Sequence, residues 1–145
     1  GEDEISYGHD IEASWLLWEA AEVLGKKSVQ KKLKPLVIQI ARIALEEGLD
    51  KENGGFENTM CNGKKDRTRI WWNQAEALNG FFYAWTLTQK EDFAAATESV
   101  WSWIQTYQKD SDGGDWFWAV DAKGKPKMKE VKGGNWKTSY HNARC

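Results

Sequence analysis

Apolar positions recur at helical spacing in four windows of the chain. Over 10–24, Ile11, Trp15, Leu16, Trp18, Ala20 and Val23 fall at mixed i+3 and i+4 steps, and Gly25 follows as a C-terminal stop. Leu36, Val37, Ile40, Ile43 and Ala44 predict a second helix over 35–47, ended by Gly48, with Pro35 suited to its first turn. The segment 28–34 before it reads either as a turn or as the same helix with a kink. Ala75, Leu78, Phe82 and Trp85 predict a third helix over 72–87. Phe93, Ala96, Val100, Trp103, Ile104 and Tyr107 predict a fourth over 91–108. Short strands are expected at 56–58 and 69–71, joined by a polar loop over 61–68. A further strand is expected at 116–120, followed by a hairpin turn at 121–124. The pattern is all-α: helices in antiparallel pairs, with short β-hairpins in the loops.

The pattern also repeats. Glu12 and Glu76 occupy matching places 64 positions apart, and the pairs Gly54-Gly55 and Gly113-Gly114 are 59 apart. Each unit reads as helix, helix, Gly-Gly turn, hairpin, then the mouth of the next helix. A third mouth carries His141 and Arg144 three residues apart, the spacing of His9 and Glu12 in the first. This suits an α/α toroid whose inner helices aim their N-terminal ends at one shared pocket while outer helices close the back. Residues 1–145 are then a single partial α/α-barrel domain of about two helix-pair repeats and the start of a third.

Composition narrows the partners. A chain of 145 residues is long enough for a real core. A net charge of −2 and a pI near 5.8 argue against nucleic acid bound by bulk charge, and the cluster Lys26, Lys27, Lys31, Lys32 and Lys34 reads as a solvated helix end. Mean hydropathy is −0.71 and no long apolar run exists, so no membrane span is expected. Cys61 and Cys145 form no paired motif, which points to a reducing compartment and hence the cytoplasm. Ten Trp, four Tyr and five Phe exceed what core stripes need. The surplus near loops suggests a pocket walled by flat faces, suited to a sugar or another planar ligand.

The first helix mouth, Tyr7-Gly8-His9-Asp10-Ile11-Glu12, has two readings. His9 and Glu12 can share one face as a proton-transfer pair, or His9 is a solvated residue at a capped helix start. Other chemistries are weaker. Glycoside hydrolysis by Glu12, Glu76 or Asp115 leaves the two histidines without a task. A zinc site from His141 and Cys145 lacks a third short-spaced ligand, and no Gly-rich phosphate loop appears. A sugar-binding module without turnover would use the aromatic wall alone.

Four ordered motifs carry a more specific signal. These are Gly8-His9-Asp10-Ile11-Glu12-Ala13-Ser14-Trp15, Trp71-Trp72-x-Gln74-Ala75-Glu76-Ala77, Gly114-x-Trp116-Phe117-Trp118, and Trp136-Lys137-x-x-Tyr140-His141-Asn142-x-Arg144. In this order they resemble the N-acylglucosamine 2-epimerase superfamily, and within it the cellobiose 2-epimerases. The resemblance spans essentially the whole chain. It implies the C-terminal part of an (α/α)6 barrel and a sugar 2-epimerase that needs no metal and no cofactor. It implies His9 and His141 as the two general acid/base groups. It implies Glu12 and Glu76 as carboxylates that contact the sugar and orient the histidines, Trp72 and Trp136 as aromatic walls of the reducing-end site, and Arg144 as a polar site residue. The chain departs from the family at Thr138-Ser139, where members often carry Cys-Pro. The family site also draws an arginine and another histidine from the N-terminal half, which nothing here supplies. Pairing with that half, or self-association, is therefore expected, and this stretch alone should be weak or inactive.

The chemistry explains the residue types. Epimerising C2 of an aldose needs the open-chain aldehyde, removal of the proton alpha to it, and return of a proton to the opposite face. Histidine, with an ordinary pKa of about 6.5, both takes and gives a proton near neutrality. His9 and His141 are the two histidines of the chain. Aldose–ketose isomerisation shares the enediolate and differs only in returning the proton to C1.

Overall fold

Strand β1 (Glu4–Ser6) runs straight into helix α1 (Tyr7–Leu24) in the computed structural model, which describes residues 4–145. The helix begins three residues before the expected start. Tyr7 and Gly8 are buried and already belong to the helix, while Ser6 keeps an extended backbone. Its far end is as expected: Gly25 turns left-handed at φ 69° and its N–H caps the Glu22 carbonyl at 3.0 Å.

Helix α2 (Lys27–Ile43) resolves the open reading of 28–34. The segment is helix, and Pro35 sits inside it rather than in its first turn. A proline there forfeits one helical hydrogen bond. Tertiary contacts hold the segment before it: Gln30 Nε2 donates to the Ala21 carbonyl at 3.1 Å, tying the first turns of α2 to α1, and Val37 and Ala41 are buried beyond the proline. The helix then widens into a π-helical turn, Ala44–Gly48.

The expected strand at 56–58 is instead a single bridge from Phe56 to Leu49. The expected polar loop holds a hairpin, β2 (Thr59–Cys61) and β3 (Lys64–Asp66), with β1 paired antiparallel to β2. Its turn is Asn62-Gly63, both at positive φ (49° and 76°), the conformation that matches strand twist in a two-residue hairpin. Strand β4 (Arg69–Ile70) lies where expected and pairs with β5 (Ala119–Val120), a shorter strand than the expected 116–120. Helix α3 (Trp71–Thr88) and helix α4 (Glu91–Trp103), which continues as a π-helical turn over Ile104–Gln108, match the expected third and fourth helices within one residue.

Helix α1 packs on both α2 and α3, and α3 packs on α4, so α1 and α3 are neighbours with α2 and α4 outside them. Gly80 sets the α1–α3 distance. A Cβ there would lie 3.0 Å from the Ile11 carbonyl oxygen and closer still to the Ile11 side chain. The core between the layers gathers Tyr7, Ile11, Phe56, Phe81, Phe93 and Ile104.

The repeat is present, with a different register. Helices α1 and α3 start 64 residues apart, at Tyr7 and Trp71. The loops after the π-helical turns are related by 60 instead, Asp50 matching Asp110. Asp50 Oδ1 accepts from the N–H groups of Glu52 and Asn53 at 3.0 and 3.3 Å, and Asp110 Oδ1 from Asp112 and Gly113 at 3.0 and 3.1 Å. Gly54 therefore corresponds to Gly114, both at positive φ, rather than to Gly113. The aspartate, not the glycine pair, anchors the turn. The change from 64 to 60 is absorbed in the outer helices: α2 has 17 residues and α4 has 13.

Candidate active site

The N-terminal ends of α1 and α3 and the C-terminal loop meet around a cavity of about 430 Å³. Its lining includes His9 and Glu12 from α1, Trp72 from α3, and Trp136 and His141 from the loop that follows β5. Five of the seven expected site residues thus face one cavity. Glu76 and Arg144 stand behind it.

Glu76 is fully buried and its charge is divided among three donors. Trp15 Nε1 donates to Oε2 at 2.8 Å, Arg144 Nη2 donates to Oε1 at 2.7 Å, and His141 Nδ1 also bonds Oε1. A carboxylate can only accept, so the Glu76 contact fixes the hydrogen of neutral His141 on Nδ1 and leaves Nε2 as the basic nitrogen. Glu76 is buried and is not part of the cavity lining. Of that pair, Glu12 lines the cavity.

Arg144 links the three elements. Its Nη2 also donates to Glu12 Oε1 at 3.3 Å, and its guanidinium lies 3.9 Å from the Tyr140 ring centre and 4.9 Å from that of Trp15. Burial works against its charge, but the neighbouring Glu76 and Tyr140 outweigh burial and hold its pKa above the usual arginine value. A short 3₁₀ turn, Asn142–Arg144, brings His141 and Arg144 to the same side three residues apart.

His9 sits in the first turn of α1. Its Nδ1 lies 2.6 Å from Ser6 Oγ, and its ring packs on Trp72 with centroids 4.8 Å apart. The His141 ring packs on the same indole at 5.5 Å. Gly8 allows the close fit of this turn, since a Cβ there would lie 2.6 Å from Asn73 Oδ1 and 2.7 Å from the Trp72 ring.

The zinc pair considered from the sequence does not form a site. His141 Nδ1 turns to Glu76, and Cys145 Sγ instead donates to the Asn142 carbonyl at 3.2 Å. The donor atoms that do gather, within 4.8 Å of one another, belong to Glu12, Glu76 and His141, and the cation seated among them is Arg144.

Several residues enter that the sequence reading did not assign. Trp71, Trp118 and Tyr140 complete the cavity wall. All three lie within the motifs, as flanking aromatics. Trp15, expected as core, also serves Glu76. Lys137 is buried, a rare state for lysine. Its ammonium bonds Asp115 Oδ2 at 2.5 Å and the Lys132 carbonyl at 2.7 Å and stands 5.0 Å from the Trp71 ring centre. Asp115 also accepts from Asn142 Nδ2 at 3.1 Å. The loop with Trp136 and His141 is thus clasped to the turn that follows α4.

The chain is similar in sequence and fold to known proteins. A cellobiose 2-epimerase of Dictyoglomus turgidum is 40% identical over 144 residues, covering 98% of this chain and 36% of the relative. A sugar epimerase from a ruminal bacterium superposes with a TM-score of 0.95 at 36% identity, over 99% of this chain and 37% of that one. A cellobiose 2-epimerase from Bacillus thermoamylovorans B4167 superposes with a TM-score of 0.89 at 42% identity, over 99% and 36%. The chain therefore spans a little over a third of the length of these relatives. The family model of N-acylglucosamine 2-epimerase (GlcNAc 2-epimerase) matches residues 4–145, and this identifies the chain as a member of that family.

Proposed function

We propose that this chain supplies the proton-transfer part of a sugar 2-epimerase acting on a reducing-end aldose. The observation that carries the reading is that the chain's two histidines, 132 residues apart in sequence, line one cavity and pack on one indole. Glu76 orients His141 through Nδ1, and Arg144 keeps the buried carboxylate neutralised. His141 Nε2 is then available to the C2 proton, while His9 serves the other face. Glu12, with its side chain partly exposed in the cavity wall, binds sugar hydroxyls. Trp72 and Trp136 offer flat faces to the pyranose. The two helix pairs are read as part of an (α/α)6 barrel, and turnover is expected to need the remainder of such a ring.

The hydrolase alternative is left with Glu12 alone in the cavity wall, without a second carboxylate to pair with it. Glu76 is buried behind the cavity, and Asp115 is engaged by Lys137 and Asn142.

The test is exchange at C2 in heavy water, followed by NMR on the active protein with cellobiose and with an N-acylmannosamine. His9→Ala and His141→Ala should each lower epimerisation by about 10²–10⁴ while sugar binding largely survives. One variant should still exchange the C2 proton of one epimer. A ketose product would assign the isomerase outcome. Near wild-type epimerisation by either variant would sink the two-histidine mechanism.

A further inference from the structure

The N-cap residues of the four α-helices are Ser6, Lys26, Ile70 and Lys90, and none makes a side-chain capping bond. Three have no oxygen to offer. Ser6 does, with the extended backbone of a capping residue (φ −102°, ψ 95°), yet its hydroxyl is not on the helix N–H groups. It lies 2.6 Å from Nδ1 of His9, the third residue of the helix. A serine at this position ordinarily stabilises the helix start by accepting from its free N–H groups. Here that hydroxyl is diverted to an imidazole.

The partners of the two histidines differ in kind. Glu76 is an acceptor only, whereas a hydroxyl both donates and accepts. Ser6 Oγ can accept from Nδ1–H of His9 when the ring is neutral, which leaves Nε2 free to take a proton, and equally when it is protonated and Nε2–H can give one, with no change of position. An opposed proton transfer needs one imidazole neutral and the other protonated, and the roles exchange when the reaction runs backward. His9 is held by Ser6 on one edge and packed on Trp72.

We propose that Ser6 is a positioning residue that holds His9 by Nδ1 in both protonation states, so that Nε2 carries the transferred proton. The inference rests on reading His9 as a proton-transfer group. No atom of Ser6 need touch the sugar.

The test uses the ring nitrogens of the two histidines, resolved by long-range ¹H–¹⁵N correlation on the labelled 145-residue chain and assigned with His9→Ala. Ser6→Ala should move the His9 ring nitrogens toward the tautomer mixture of free imidazole and leave those of His141 in place. Ser6→Thr should restore the His9 signals. In the active protein Ser6→Ala should lower kcat by about 5–10-fold with KM little changed, and Ser6→Thr should recover it. His9 signals unmoved by Ser6→Ala would overturn the inference, as would a loss confined to melting temperature, which a plain cap would give. The underlying reading fails separately. If His9→Ala keeps its rate while Ser6→Ala still moves the His9 ring, the contact stands and the proton-transfer role of His9 does not.

Discussion

Glu76 shows how one buried side chain can organise a site it does not enter. Trp15, His141 and Arg144 converge on its two oxygens from α1 and from the C-terminal loop, so its single charge sets one ring orientation and one guanidinium. Glu76→Gln keeps the shape and removes the charge. The amide would face Arg144 with half its acceptor capacity, and neutral His141 could take either tautomer. The expected result is a fall in kcat of about 10²-fold with KM nearly unchanged, since Glu76 is not part of the cavity wall. Steady-state kinetics of the active protein checks this split. A rise in KM alone would return Glu76 to direct sugar contact.

At the scale of elements, two contacts govern how the mouths are held. The first is Gly80 against Ile11, where a Cβ on α3 would meet both the side chain and the carbonyl oxygen of Ile11 on α1. Gly80→Ala should cost about 1–3 kcal/mol through overpacking, measured by urea unfolding, although alanine is the better helix former. The second is the Lys137–Asp115 clasp. Lys137→Met removes the charge and leaves Asp115, half exposed, to water. The expected loss is about 2 kcal/mol, with faster amide exchange confined to 131–145. The helices themselves were legible because each carries an apolar stripe, and the first two a glycine stop as well. The start of α2 was not, because Pro35 resembles a first-turn residue and what holds 27–34 is tertiary. The hairpin at Asn62-Gly63 carried a readable turn signal inside a stretch too polar to suggest strands. In the site, Glu12, His9 and Trp72 were legible from helix spacing and motif. The burial of Glu76 and Lys137 was not, since burial of a charge depends on partners distant in sequence.

For the whole molecule, an ion-pair network ties the first Asp-anchored turn to the sheet and helix that follow. Arg69, fully buried, donates to Asp50 at 2.6 Å and lies 3.9 Å from buried Glu57, which also faces Lys65 and Arg67. Burial would raise the Asp50 pKa, but N–H donors from Glu52 and Asn53 and the Arg69 charge together hold it below the usual carboxylate value. A depressed folded-state pKa stabilises the protein above the ordinary aspartate pKa of about 3.9, and that contribution is lost as pH falls through the depressed value. Thermal melts should therefore show stability falling from about pH 4 downward. Asp50→Asn, which strands Arg69, should cost about 3 kcal/mol at neutral pH and weaken the acid dependence.

The unequal outer helices have a consequence for what lengths the scaffold accepts. Helix α2 exceeds α4 by four residues, about one turn at 3.6 residues per turn, yet both reach the same π-helical turn and the same kind of Asp-anchored loop. Such a scaffold takes insertions and deletions in its outer wall in whole turns, because a whole turn returns every side chain to nearly the same face. A protein engineer could splice four residues into α4 between Phe93 and Ala96 and keep the cavity, whereas a two-residue splice there would put Phe93 out of phase with buried Ala96 and Val100.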